Sequence, residues 1–480
     1  MLAEAIIAMT LVTVGFVLLG RWSGDLGEVG RLVLALPVGA AVYLIVAMGM
    51  VVFVGTLEPV VALGLTALCG VGGMAIGGRR AWNGKAVRGL AVALGTTMIV
   101  VVAARLLHLT RLTPDSLRYI LASNNLVMPD ALGAMHPVDL HNRNLAVPSL
   151  HALSDLTDRR YLASIGPLFG AAGFGLFVYL TWQATARVER AARVSLIAAA
   201  TVYLVMSNRL IYDVFYIHTH IYVAVYVLVG MTGIWFVATR ASPGWAVPAG
   251  LSLAVTLLIR PETPLVVALL LVVAASAGAG RASRLWLGLP AVVVVGVWYG
   301  TLWSWVPGGD RIAVDAPIFG GIVAVVGAAA VLLLAEIPAL ARTVHQIDLI
   351  LVGLLGLVLG IFIAVDPGML VDSVEATVSN LVLFQGRWHV TWPVLLALIG
   401  GALVFARGPD TRLWSVPVVG YLLIWWLLPY LRGNPWRVGT GDSGNRILAH
   451  IIFVAVAYLV IAAARTYVAD GEPPEGEAVA

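Results

Sequence analysis

Lysine and cysteine are almost missing from this chain of 480 residues, and charge of either sign is scarce. Lys85 and Cys69 stand alone, and only 11% of residues are charged, against about 25% in an ordinary soluble domain. A single cysteine excludes an intramolecular disulfide and a cysteine metal site. Cys69 lies inside an apolar run and reads as a small buried residue. The formal charge of +4 and pI near 9.3 come from arginines spread through connecting segments. They form no basic stripe and are not interleaved with aromatics, so nucleic acid is not an expected partner. A soluble domain, an internal repeat and a P-loop are equally missing. Residues 1–20 lack a basic leader and a small-residue cleavage site, and read as a first membrane span.

What the chain has in abundance is apolar length. Hydrophobic residues make up 60% of it and mean hydropathy is +0.96. A soluble globule has nowhere to put that much apolar surface, whereas about 20 apolar residues cross a bilayer as a helix. The pattern predicts an all-α, polytopic transmembrane bundle of about 15 spans. They fall near 3–20, 32–55, 58–77, 88–106, 162–183, 194–207, 219–238, 245–259, 264–278, 286–302, 316–335, 348–365, 391–406, 414–430 and 447–464. One set of connections is short and basic: Arg79, Arg80, Lys85 and Arg88; Arg187, Arg190 and Arg193; Arg281 and Arg284; Arg407 and Arg412. By the positive-inside rule these are cytoplasmic. The alternating set, 107–161, 208–218, 303–315, 366–390 and 431–446, is long and falls outside. This places the N-terminus outside and the C-terminus inside, with 465–480 a disordered cytoplasmic tail rich in Glu and Pro. Asp25 falls in an inner connection and reads as a silent position. Most of the 51 glycines read as close-packing positions between helices.

In so apolar a chain the polar residues carry the information, because Asp, Lys or Arg at a bilayer centre costs about 2.5–3.5 kcal/mol on insertion scales. They gather on the outer side. The first large loop contains TPDSLRY, where Pro suits the first turn of a helix and Asp its N-terminal end; Asp115, Arg118 and Tyr119 share that short helix. The following YILASNNLVMPDALGAM is expected to lie at the interface as short amphipathic helices. His136, Asp139, His141 and Asp155 follow, with no specific metal-ligand spacing. SNRLIYDVFYIHTH brings Asn208, Arg209, Tyr212, Asp213, Tyr216, His218 and His220. His218 and His220 point apart if helical, so a shared metal needs an extended backbone there. LIRPETPL sets Arg260 and Glu262 between two apolar runs, FQGRWHVTW supplies Arg387 and His389, and LRGNPWRVGTGDSGNRILAH supplies Arg432, Arg437, Asp442, Asn445, Arg446 and His450, with Arg446 and His450 on one helix face.

The order of TPDSLRY, YIHTHIYVAVYVLV, LAVTLLIRPETPL and GNRILAH, over residues 88–464, resembles the GT-C superfamily of integral membrane glycosyltransferases. That resemblance implies a GT-C-like catalytic module at 88–464, preceded by extra N-terminal spans at 1–87. It implies an enzyme of the cell membrane, acting on the outer face. A sugar passes from a polyprenyl-phosphate donor to an acceptor hydroxyl of a glycan, lipid or protein, with inversion. It also admits a divalent cation and names no metal ligand. Such transfer needs a base for the acceptor proton and cations for the departing phosphate, a task suited to Arg. The expected roles are Asp115 as general base and Arg260, Arg446 and Arg387 at the donor phosphate. Asp213, His218, His220, Glu262, Arg118 and Tyr119 are expected around them. Two other readings compete. A transporter or flippase calls for mid-span polar residues in repeated halves, and an O-antigen-type ligase or polymerase would use outer-loop Arg387 and His389.

Overall fold

The computed structural model describes residues 1–77, 83–135, 144–157, 159–305, 311–406 and 408–471. Arg79, Arg80, His136, Asp139, His141 and Arg407 lie outside the described residues. Among those described there is no strand, only one isolated parallel bridge between Arg111 and Tyr216. The helices run α1 (Leu2–Leu18), α2 (Ser23–Phe53), α3 (Pro59–Gly77), α4 (Gly84–Leu106), α5 (Pro114–Leu126), α6 (Ala146–Ala152), α7 (Ile165–Ala184), α8 (Arg190–Met206), α9 (Asn208–Val214), α10 (His220–Arg240) and α11 (Ala246–Thr256). There follow α12 (Thr263–Ser276), α13 (Arg281–Val294), α14 (Gly300–Trp305), α15 (Arg311–Leu334), α16 (Pro338–His345), α17 (Ile347–Val365), α18 (Pro367–Leu381), α19 (Thr391–Phe405), α20 (Pro409–Arg432), α21 (Ser443–Ile447) and α22 (Ile452–Gly471).

Every predicted apolar window falls on a helix. Nine helical runs among the described residues are long and apolar enough to cross a membrane, and ten if α8 and α9, bent by 73° at their junction, count as one. Other windows fall on shorter apolar helices, such as Thr263–Ser276 and Thr391–Phe405. The shortest, α11, has 11 residues, about 17 Å at 1.5 Å per residue, against a hydrocarbon core of about 30 Å. Hydropathy finds the apolar stretch but does not measure how much of it stays helical, and there the expected count of about 15 and the structure diverge. The last helix also continues through 465–471, the start of the expected tail.

The chain divides into two compact units, Met1–Gly173 with Tyr212–Leu351, and Phe174–Ile211 with Val352–Ala480. The first is built around α10, whose residues from His220 to Val237 are all buried. Around it, α1 and α2 cross closely because Gly15 and Gly39 face each other's backbones. A Cβ on Gly15 would fall on the Ala35 carbonyl, and one on Gly39 on the Leu11 carbonyl. Gly39→Ala is therefore expected to destabilise the fold by about 1–3 kcal/mol, the usual cost of overpacking. It should appear as a lower thermal midpoint in detergent, and an unchanged midpoint would refute the close crossing.

Two expectations need correction here. Asp25 is not a silent loop position. It sits in the first turn of α2, its Oδ2 accepts from the Gly244 amide at 2.7 Å, and its carbonyl accepts from Trp245 Nε1 at 3.2 Å. The turn 243–245 lies 219 residues on, and nothing local announces that contact. Cys69 is exposed, not buried; it lies on the outward face of α3 with Val61, Leu65 and Leu68. In a bilayer an apolar outward face meets lipid, so apolar surroundings in sequence do not imply burial in protein. The sequence reading also passed over Glu4. Buried in α1, it is ion-paired with Arg105 of α4 and accepts from Ser164 N and Oγ, each at 2.7 Å.

Candidate functional site

The first large loop is ordered where it is described. Thr113 caps α5, its Oγ1 accepting from Ser116 N at 3.4 Å, with Pro114 opening the helix as TPDS predicts. The chain before the cap is tied down: Arg111 N donates to Phe215 O at 2.7 Å, and Thr113 Oγ1 donates to the Tyr216 hydroxyl at 2.6 Å. After the helix, Leu57 N donates to Leu126 O at 2.8 Å and Ala131 N to Gly55 O at 2.7 Å. One face of α5 buries Tyr119, Ile120, Ser123 and Leu126, while Leu117, Arg118 and Leu121 are exposed on the other. The outward face thus mixes Leu117 and Leu121 with Arg118 and Asn124.

Asp115 lies in the first turn, its side chain 39% exposed, with Oδ2 3.9 Å from His218 Nε2. Tyr119, one turn on and therefore on the same face, sets its ring edge-on to His218 at 5.1 Å between centroids. His218 sits in the irregular connection before α10, and His220 is the first residue of that helix. Their rings do not point apart. They stack at 4.2 Å and 11°, because the backbone between them is not helical on both sides. Tyr216 stacks on His218 at 5.2 Å, Tyr212 lies tilted against Tyr216, and the Arg111 guanidinium sits 5.5 Å over Tyr212. Asp213 is buried at the end of α9, just before this connection.

Behind Tyr119 is the turn between α11 and α12. Arg260 and Glu262, both buried, pair through Nε and Oε1 at 3.0 Å. The Thr263 hydroxyl donates to the carbonyls of Thr256 and Arg260, which closes the turn. Burial opposes the Arg260 charge, but Glu262 and the hydrogen-bonded Tyr119 outweigh it, so the guanidinium is held above its ordinary range. Asp115 and Arg260 are thereby linked through Tyr119 and His218. A half-exposed carboxylate stands in front of a buried cation whose charge is locally balanced.

Arg387 and Arg446 belong to the second unit. There Asn445 Nδ2 donates to Gly386 O, and Trp388 Nε1 donates to Asn445 O, each at 2.9 Å, so the neighbours of the two arginines are joined. Arg446 is buried and donates from Nη2 to Gly441 O at 2.8 Å and from Nε to Asp442 O at 3.3 Å, clamping the loop before α21. Asp442 caps that helix through Asn445 N. The same loop is held by Arg209, also buried, whose Nη1 donates to Thr440 O at 3.0 Å. Arg209 was visible in SNRLIYD but received no role from sequence. Arg387 and His389 both have left-handed backbones, φ 66° and 49°, as does Phe384 at 65°. Three such non-glycine residues in one short loop are uncommon and mark strain.

An apolar cavity of about 490 Å³ also lies in the second unit, lined by α8, α19 and α22, with Ala200, Gly401 and Ala463 leaving the room. Among the described residues no three His, Cys, Asp or Glu side chains are placed to hold a metal ion. Comparison of the chain with known protein families, curated proteins and solved structures finds no match.

Proposed function

We propose that this chain is a multi-pass membrane glycosyltransferase of GT-C type, which takes a sugar from a polyprenyl-phosphate donor and passes it to an acceptor hydroxyl on the outer face. The observation that carries the reading is the layer in the first unit: half-exposed Asp115, then Tyr119 and His218, then buried Arg260 with Glu262. In the proposed reaction Asp115 takes the acceptor hydroxyl proton, the acceptor oxygen bonds to the anomeric carbon, and the bond from that carbon to the donor phosphate breaks. The electron pair leaves with the polyprenyl phosphate. Attack opposite the leaving group inverts the anomeric centre, through an oxocarbenium-like state by analogy with glycoside hydrolysis. Arginine suits a phosphate that gains charge in this step, and Arg260, Arg387 and Arg446 are the candidates.

The reading carries the full topology of about 15 spans, with the N-terminus and the Asp115 loop outside. Reporter fusions at Gly84 and Arg190 are expected to report cytoplasm, and one at Asp139 the outer face; the same compartment at Gly84 and Asp139 would sink it. Purified protein in proteoliposomes, given a polyprenyl-phosphate sugar and scored for acceptor glycosylation, tests the activity. Movement of lipid-linked sugar between leaflets without transfer would favour a flippase instead.

A further inference from the structure

The geometry points to His218 as the positioning residue for Asp115, a role that rests on the base reading above. Three rings fix the plane of its imidazole: Tyr216 and His220 stack on it and Tyr119 meets it edge-on. Within that plane its two nitrogens face different groups. Nε2 faces the Asp115 carboxylate at 3.9 Å, and Nδ1 lies 3.1 Å from the Thr219 hydroxyl. An ionised carboxylate only accepts hydrogen bonds, whereas a hydroxyl donates or accepts. A ring with one proton satisfies both sides with that proton on Nε2, directed at Asp115, and Thr219 donating to bare Nδ1; a ring with two protons keeps the same Nε2–H and donates from Nδ1 to Thr219. The opposite tautomer sets a lone pair against a carboxylate.

His220 is buried face to face with His218, and two imidazolium ions at that distance disfavour each other. Arg260 behind Tyr119 already has Glu262 as its counter-charge. In this role the Nε2–H of His218 points at Asp115 across 3.9 Å, longer than a hydrogen bond, and orients the carboxylate electrostatically. It keeps the carboxylate turned toward the ring, with the Asp115 side chain 39% exposed. Thr219, fully buried, acts one step further back by fixing the tautomer.

The test uses the full chain in detergent micelles with nitrogen-15-labelled histidine, His218 being assigned by loss of its signal in His218→Gln. Near neutral pH, His218 is expected to carry a proton on Nε2 throughout, and Thr219→Val is expected to give a mixture of tautomers at an unchanged thermal midpoint. With a short-chain polyprenyl-phosphate sugar as probe, His218→Phe keeps the ring contacts and loses the nitrogens. It should lower kcat about tenfold or more, as loss of an orienting partner does, and leave KM within about twofold. His218→Gln, whose amide nitrogen reaches the Nε2 position, should recover most of that loss. A wild-type His218 in the Nδ1–H or a mixed tautomer overturns the inference, as does a folded His218→Gln no better than His218→Phe. Wild-type turnover in Asp115→Asn sinks the base reading instead, while the tautomer result stands or falls separately.

Discussion

Asp115→Asn is expected to lower sugar transfer by about 10²-fold or more, the usual scale for loss of a general base. The substitution keeps size and shape and removes only the ability to take a proton. Asp115 is half-buried in the first turn of α5, where Thr113 and Pro114 already set the helix start, so Asn should be tolerated structurally. Donor affinity should change little, because in the proposed reaction the phosphate is assigned to arginines and not to this carboxylate. The measurement is transfer from a polyprenyl-phosphate sugar with protein levels matched. The control is Asp372→Asn, an exposed position on α18; Asp25 cannot serve, since its carboxylate holds the Gly244 amide. Wild-type turnover in Asp115→Asn would move the base elsewhere, with Asp213 and Glu262 the next carboxylates to try.

Glu262→Ala is expected to destabilise the protein by about 3–5 kcal/mol, because it leaves the buried Arg260 charge without its counter-ion. Tyr119 alone cannot replace a carboxylate as partner. Arg260→Met combined with Glu262→Leu removes both charges and should recover most of the thermal midpoint, as apolar replacement of a buried pair commonly does. Stability and function should then separate. On the proposed reading the double variant is expected to fold but bind donor phosphate weakly, since the guanidinium is gone, and Arg260→Lys to recover binding only in part because the planar fork is lost. A Glu262→Ala midpoint equal to wild type would show that the pair contributes nothing to the fold. A double variant with full donor affinity would remove Arg260 from the phosphate site.

Much of the helix pattern was legible because apolar runs and cap residues are local. TPDS predicted the start of α5 and put Asp115 in its first turn; LIRPETPL predicted the turn that carries Arg260 and Glu262. What was not legible depends on distant contacts. The meeting of Tyr119 with His218 and Arg260 joins three segments far apart in sequence, and spacing alone gives no hint of it. The His218–His220 stack was not legible because spacing settles the ring directions only for a regular backbone, and the chain bends there. Arg260, Arg387 and Arg446 were grouped by outer-side placement, chemistry and the family resemblance; Arg260 belongs to the first compact unit and the other two to the second. The left-handed backbones at Arg387 and His389 had no sequence marker, since neither residue favours that region as glycine does.

The full burial of α10 has a consequence for motion. A helix whose every side chain from His220 to Val237 is enclosed belongs to the last region of a protein to open, whereas a short helix with an outward leucine face and neighbouring turns belongs among the first. His218 and His220 are anchored to the slow part of the molecule, and Asp115 rides on the fast part. If Asp115 is the proposed base, the exposed amides around it are expected to exchange hydrogen faster than those of α10.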